Sequence, residues 1–493
     1  MICISVAQES RRFALVDMLN AAPQCDLLEV RLDRFDKAPD IGELLAAKTK
    51  PVIFSCRRPR DGGTWEGGED ERLALLRQCI ISKADYVEIE VDVADQIRRL
   101  PPAKRVISYT NLRETPDDIA AIYALAQSKS PDVIKLATVA RTPEEAWPLV
   151  QILARPAVPT VVVGLGKPGV MLTVLGKKIG APWTYAALER GMEAYPDQPT
   201  VHDLEAIYHY RALDRSTRLI GVTGFSERES ATLAVLNAAL AHLKLPARCL
   251  PLGVGSLRLF RKIADAVRLA ALVADREHEN SLLGMADKLN PAAQEAEAAD
   301  LFLHKDDHWK GYQTRYGAAV TALEATLRAR SAAGAPLHDR AVLILGTSAG
   351  ARALAAEVKR RGGMPIIASH DRAAAHGLAQ ALECRYVAFE ALYATMHDVL
   401  AVCDEEHGPG WRPGQPVVHP GYLKSSMAVM DLTAGVRKSV LLQEAEARGC
   451  ATVAPRRVLL EQLALQVGRI TKQDVDREVL ERAIPDFLED EPQ

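Results

Sequence analysis

The run Asp132-Val-Ile-Lys135-Leu-Ala137 sets one lysine among apolar residues. It reads as a strand buried on both faces, and it has seven companions. Strand-like runs begin near Ile2, Asp26, Pro51, Tyr86, Lys104, Asp132, Pro159 and Trp183. Helix-length segments such as 70–80, 116–126 and 143–153 lie between most of them. Strands rich in Val and Ile that alternate with helices imply parallel pairing. Eight such units in about two hundred residues suit a closed (β/α)8 barrel. An open doubly wound sheet is the alternative.

Beyond the barrel, the charged stretch 202–218 reads as a helical connection, and a strand at 218–222 opens a second α/β unit. Ser331-Ala-Ala-Gly-Ala-Pro336 has the composition of a joint. Ala341-Val-Leu-Ile-Leu-Gly346 follows, a buried strand that ends at glycine before a helix, as a dinucleotide-binding βαβ unit begins. Residues 458–487 read as helices. The fold class is therefore α/β throughout: a barrel over 1–205, an α/β substrate domain over 216–330 completed by 455–493, and a Rossmann-like domain over 331–454.

At 493 residues the chain exceeds one ordinary core. Its 48% hydrophobic and 25% charged residues are those of a globular protein. A net charge of -3 gives nucleic acid or an anionic membrane no electrostatic purchase. The cysteines (Cys3, Cys25, Cys56, Cys79, Cys249, Cys384, Cys403, Cys450) stand far apart without zinc-like spacing, so reduced thiols and no metal are expected. The opening Ile2-Cys-Ile-Ser-Val6 is strand-like rather than a signal peptide, and no apolar run nears membrane-spanning length. A cytoplasmic enzyme with small-molecule partners is the simplest expectation, with oligomeric state left open.

In (β/α)8 barrels the reacting groups sit where strands end. Those ends carry Glu29-Val-Arg31-Leu-Asp33, Phe54-Ser-Cys-Arg57 with Asp61, Ile107-Ser-Tyr-Thr110, and Lys135. Burial disfavours an ammonium, and neighbouring Arg31 and Arg57 would disfavour it further. A neutral amine attacks a ketone to form a Schiff base. The plainer reading pairs Lys135 with Glu29 or lets it snorkel to the rim.

Glu29-x-Arg31-x-Asp33, Gly62-Gly-Thr-Trp-Glu-Gly-Gly-Glu-Asp-Glu-Arg-Leu73 and Asp132-Val-Ile-Lys135, in this order, resemble type I 3-dehydroquinate dehydratase. The resemblance implies dehydration of 3-dehydroquinate to 3-dehydroshikimate through a lysine imine, with no cofactor. It makes Lys135 the imine lysine. Glu29, Arg31 and Arg57 become holders of the substrate's hydroxyls and carboxylate, Gln198 the glutamine of a closing loop, and Tyr185 an aromatic pocket residue. The chain departs from that pattern in places. Thr110 stands at the general acid/base histidine, Leu172 and Thr173 at a serine–arginine pair that grips the carboxylate, and Asp61 at a glutamate. Lys167 is a substitute carboxylate contact in this reading.

From Arg218 onward the chain resembles shikimate dehydrogenase, through Gly221-Val-Thr-Gly224 with Ser230-Ala-Thr232 and Asn237, and through Gly311-Tyr-Gln-Thr-Arg-Tyr-Gly317. The resemblance implies that Ser230 and Thr232 bind the substrate carboxylate, unless they cap a helix, and that Gln462 touches the substrate. It implies reduction of 3-dehydroshikimate to shikimate with NADP. The catalytic lysine and aspartate become Glu279 and Arg315, and a substrate asparagine becomes Asp300. In the nucleotide loop, Gly346-Thr-Ser348-Ala349-Gly350, Ser348 replaces a glycine that lets backbone approach pyrophosphate. The helix N-terminus still favours phosphate. Arg372 remains near the 2′-phosphate position, but Asp371 beside it repels that group. The substitutions weigh against the dehydrogenase more than the dehydratase. A ligand-binding or regulatory pseudoenzyme of the same build is the second hypothesis, and another imine-forming reaction the third.

Overall fold

The computed structural model describes residues 1–330, 334–404, 417–433 and 435–484. Ser331, Ala332 and Ala333 of the expected joint, and the end of the expected C-terminal helices beyond 484, lie outside the described residues. The chain divides into two compact units, Met1–Leu219 with Leu245–Arg268, and Ile220–Lys244 with Leu269–Gln493. Residues 245–268, expected in the substrate domain, group with the first unit.

The first unit holds eight strands: β1 (Ile2–Val6), β2 (Leu27–Arg31), β3 (Val52–Ser55), β4 (Tyr86–Glu90), β5 (Lys104–Asn111), β6 (Val133–Val139), β7 (Thr160–Leu165) and β8 (Thr184–Ala186). Each starts within one residue of the run that announced it. Helices Glu69–Ile81, Ile119–Ser128 and Pro143–Ala154 fill the expected gaps. The ladder runs β7-β6-β5-β4-β3-β2-β1-β8. β1 pairs in parallel with both β2 and β8, and β7 packs against β8, bringing the two ends of the sheet together. The open doubly wound alternative is excluded. The segment 202–218 is not one helix; it breaks into the turns Asp203–Ile207 and Tyr210–Ala212.

A second sheet contains β9 (Arg218–Thr223), β10 (Ala247–Leu252), β11 (Leu269–Val273), β12 (Lys288–Leu289), β13 (Leu301–Lys305) and β14 (His308–Tyr312), in the order β10-β9-β11-β13-β14-β12. A third contains β15 (Ala341–Leu345), β16 (Met364–Ala368), β17 (Arg385–Tyr386), β18 (Val399–Val402), β19 (Ala428–Asp431) and β20 (Ala451–Val453). Its order is β17-β16-β15-β18-β19-β20, and every pair is parallel. That is the dinucleotide-binding arrangement, with the order reversing between β15 and β18. Among the described residues no helix is long and apolar enough to cross a membrane.

Close backbone approaches fix some glycines. At the end of β7, a Cβ on Gly164 would overlap the backbone of Gly169, and the reverse holds too. The turn after β7 can fold back only if neither carries a side chain. Gly164→Ala should therefore lower barrel stability by about 1–3 kcal/mol, the usual penalty of overpacking. Urea unfolding followed by tryptophan fluorescence checks this; an unchanged midpoint would contradict it.

Candidate active site

The pleat decides which side chains enter the barrel. Alternate residues share a face. Cys3, Leu27, Ile53, Val106, Val133 and Trp183 pack together as an apolar plug inside. Two residues further along the same strand faces come Ser5, Glu29, Ser55, Ser108 and Lys135. On β4 the same step leads from Tyr86, packed against that plug, to Glu88.

Ser5, Glu29, Ser55, Glu88 and Lys135 form one bonded cluster with Arg57. Lys135 Nζ donates to Glu88 Oε2 at 2.9 Å and lies 3.7 Å from Glu29 Oε1. It also sits 4.1 Å from the centroid of the Tyr185 ring, a cation–π distance. Arg57 donates to Glu29 through Nη2, and its Nε lies 3.3 Å from Glu88 Oε1. Ser5 and Ser55 donate to the two oxygens of Glu29 at 2.6 and 2.9 Å. Two cations thus face two carboxylates, with the Lys135 side chain only 3% exposed. Burial works to raise the pKa of Glu29. Arg57, Lys135 and Arg31, with the Ser5 hydrogen bond, outweigh it and hold Glu29 well below the usual carboxylate range. Burial works against the charge of Arg57 too, but Glu29 and Glu88 prevail and raise its pKa.

The cluster borders a cavity. Glu29, Arg57, Asp61, Thr110, Lys135, Tyr185 and Gln198 all line it, together with Tyr195 and the apolar Leu112, Ala137, Val163 and Leu165. Apart from Arg57 Nε, which has Glu88 beside it as an ion-pair partner, two buried polar atoms of that lining have no hydrogen-bond partner among the described residues, Tyr185 Oη and Gln198 Nε2. The other end of the Gln198 amide accepts from Ala194 N at 2.7 Å, which fixes the amide's orientation. Buried donors are normally satisfied, so these two stand out as groups still able to donate a hydrogen bond.

Two expected contacts, those of Arg31 and Lys167, are corrected. Arg31 does not line the cavity. Its Nε and Nη2 grip Asp33 at 3.0 and 2.7 Å, and Nη2 also holds Gly62 O at 3.0 Å. Asp33 in turn accepts from the backbone of Arg57 and Thr64. The pair is a buried clamp on the loop that carries Arg57 and Asp61. Lys167 is exposed, and Thr173 is buried in the helix Val170–Ile179; neither borders the cavity. Asp61 does border it, with its carboxylate on Arg58 Nε at 2.6 Å. Sequence reasoning missed Glu88. Its signal was present in Tyr86-Val-Glu-Ile-Glu90, where acids alternate with apolar residues in a buried strand. Among the described residues no group of His, Cys, Asp or Glu is gathered for a metal.

In the second unit the expected site residues bond to each other. Arg315 Nε donates to Glu279 Oε1 at 2.7 Å, and Gln313 supports Glu279 Oε2 at 3.3 Å. Asp300 accepts from Thr314 N and Oγ1 at 2.7 Å each, from Arg315 N at 2.9 Å and from Gln462 Nε2 at 2.7 Å. Gln462 Oε1 accepts from Arg228 at 2.6 Å. Burial raises the pKa of Glu279 and of Asp300, with Arg315 acting against it at both.

Ser230 and Thr232 are neither caps nor free hydroxyls. The helix Glu227–His242 starts earlier, with Ser226 and Glu229 in a capping box, so both residues fall inside it. Their hydroxyls bond the carbonyls of Ser226 and Arg228 at 3.1 and 2.9 Å. In the nucleotide loop Gly346 has φ +129°, and Ser348 caps the helix Ala349–Arg360. Gly350 has no room for a Cβ, because Tyr316 Oη lies against it. The expectation that this helix start stays open to phosphate is corrected: the N–H groups of Thr347 and Ser348 donate to Asp404. Arg372 is paired with Glu390 at 2.9 Å.

The family model described as type I 3-dehydroquinase matches residues 2–215. A 3-dehydroquinate dehydratase from Methanopyrus kandleri is 32% identical over 185 residues, 36% of this chain and 84% of that protein. A chloroplastic bifunctional 3-dehydroquinate dehydratase/shikimate dehydrogenase from Arabidopsis thaliana is 26% identical over 484 residues, 94% of this chain and 80% of that protein. A crystal structure of a shikimate dehydrogenase in complex with NADP+ superposes with a TM-score of 0.50 at 22% identity, over 56% of this chain and 97% of that one.

Two outcomes follow for the barrel. Arg31→Met strands the Asp33 carboxylate in a buried site, so stability should drop by about 3–5 kcal/mol. A melting temperature equal to the parent's would restore Arg31 to a ligand-facing role. Glu29 has an ordinary value of 4.5, lowered by folding. Its stabilising contribution is full above that pH and is lost as pH falls through 4.5 toward the folded value. Melting temperature should decline on acidification below pH 4.5, and Glu29→Gln should remove part of that slope.

Proposed function

Because the chain belongs to the 3-dehydroquinate dehydratase family, whose type I model spans residues 2–215, we propose that its barrel dehydrates 3-dehydroquinate, or a closely related cyclic ketone, through an imine on Lys135. The observation that carries this reading is the position of Lys135 Nζ. It lies in a cavity that also offers unpaired Tyr185 Oη and Gln198 Nε2 to a ligand. To attack a carbonyl carbon the ammonium must first lose a proton, and Glu88 Oε2 stands 2.9 Å away to take it. The amine adds to the ketone, and the carbinolamine loses water to give the imine. The imine acidifies the neighbouring C–H. Loss of that proton and departure of the β-hydroxyl as water leave a conjugated imine, which water hydrolyses to the enone and free Lys135. Glu29 and Arg57 hold hydroxyls of the ring, and Gln198 and Asp61 complete the wall.

Thr110 cannot move a proton as histidine does, which removes a contribution of about 10²–10⁴ in rate. A slow enzyme is the result, and the same residue favours a second reading, a barrel that binds its ligand without turnover. The second half carries the shikimate dehydrogenase fold, over a division that we place at 216–330 with 455–493, and at 331–454. Its Glu279–Arg315 ion pair replaces a lysine and aspartate poised to exchange a proton, so we assign the chain's chemistry to the barrel. The free cysteines, Cys384 apart, are buried thiols, in keeping with a cytoplasmic setting.

Enone absorbance with 3-dehydroquinate as substrate tests the proposal. Slow formation is expected with the native chain and none with Lys135→Ala, and Thr110→His should raise the rate at least about 10²-fold. Equal rates with and without Lys135 would refute the imine. A silent native barrel that Thr110→His does not awaken would favour the binding-only reading.

A further inference from the structure

In an open parallel sheet, a dinucleotide enters the crevice where strand order reverses. Here that point lies between β15 and β18. Leu345 and Val402 pair there, and Cys403 N still donates to Leu345 O at 2.9 Å. This continuation carries Asp404 up beside Gly346. The carboxylate then turns onto the loop. Its Oδ2 accepts from Thr347 N at 2.7 Å and Ser348 N at 2.8 Å, and its Oδ1 takes the Ser348 hydroxyl. A Cβ on Gly346 would meet Asp404 Oδ2 at 2.5 Å, so the glycine makes room for this side chain. Arg276 secures the turn. It donates to Cys403 O and to Leu432 O, and its Nη2 lies 3.7 Å from Asp404 Oδ1.

Successive N–H groups at a helix start are what such folds offer to a pyrophosphate. In this chain an anion of its own already holds them. A phosphate brought to the same donors would meet Asp404 within hydrogen-bonding range, and two like charges cannot share that site. The ribose end is no better suited. Asp371 caps the helix Arg372–Ala381 through Ala374 N at 3.0 Å, and Arg372 is held by Glu390. The residues present do not fit NADP.

We propose that Asp404 is a tethered anion that fills the dinucleotide-phosphate cradle, so that the second half in its native form takes up neither NADP nor NAD. The inference is independent of the barrel's chemistry.

Isothermal titration of the full chain with NADP⁺, NAD⁺ and inorganic pyrophosphate tests it, beside Asp404→Ala and Asp404→Asn. The native chain should give no saturable heat at millimolar nucleotide. Asp404→Ala should gain at least about tenfold in affinity for pyrophosphate and NADP⁺. Asp404→Asn keeps an acceptor for the loop without the charge and should gain less. Micromolar binding of either nucleotide by the native chain would overturn the proposal without any variant. Two folded variants that bind no better than the parent would overturn it as well.

Discussion

A lysine can stay inside the barrel only because two carboxylates meet it there. Lys135 and Arg57 face Glu29 and Glu88 in one closed set of contacts, braced by Ser5 and Ser55. An unpaired buried charge is far too costly to tolerate, and a paired one is held in a narrow geometry. That geometry aims Nζ at the cavity. The layer beneath it is apolar and supports it, while Arg31 and Asp33 clamp the loop that delivers Arg57.

The two halves differ in what they leave unsatisfied. The barrel cavity keeps polar atoms in reserve, Tyr185 Oη and Gln198 Nε2, for which the described residues supply no partner. In the second half, the groups a ligand would use are engaged with each other: Arg315 with Glu279, Gln462 with Asp300, the hydroxyls of Ser230 and Thr232 with their own helix, and the loop amides with Asp404. The fold of a dehydrogenase persists there because its sheets and helices are set by apolar patterning, which these substitutions leave alone.

The barrel was legible because its signals are local. β-Branched runs and strand ends placed every strand and set Glu29, Arg57 and Lys135 at the strand ends, while Gln198, which lines the same cavity, came only from the resemblance. Arg31 misled because it shares a face with Glu29, yet Asp33 two residues on turns back to take it. The start of the helix at Ser226 was written in Ser226-Glu-Arg-Glu229, a capping pattern that a ligand reading of Ser230 overlooked. Asp404 was beyond local reading. Its partners stand 56 and 57 positions away in the chain, and only the pairing of β15 with β18 brings them together.

The most direct test is reductive trapping. The full chain is incubated with 3-dehydroquinate and borohydride, and the modified peptide is located by mass spectrometry. The account predicts a single covalent adduct on Lys135. An unmodified Lys135, with the protein folded and substrate in excess, would contradict it.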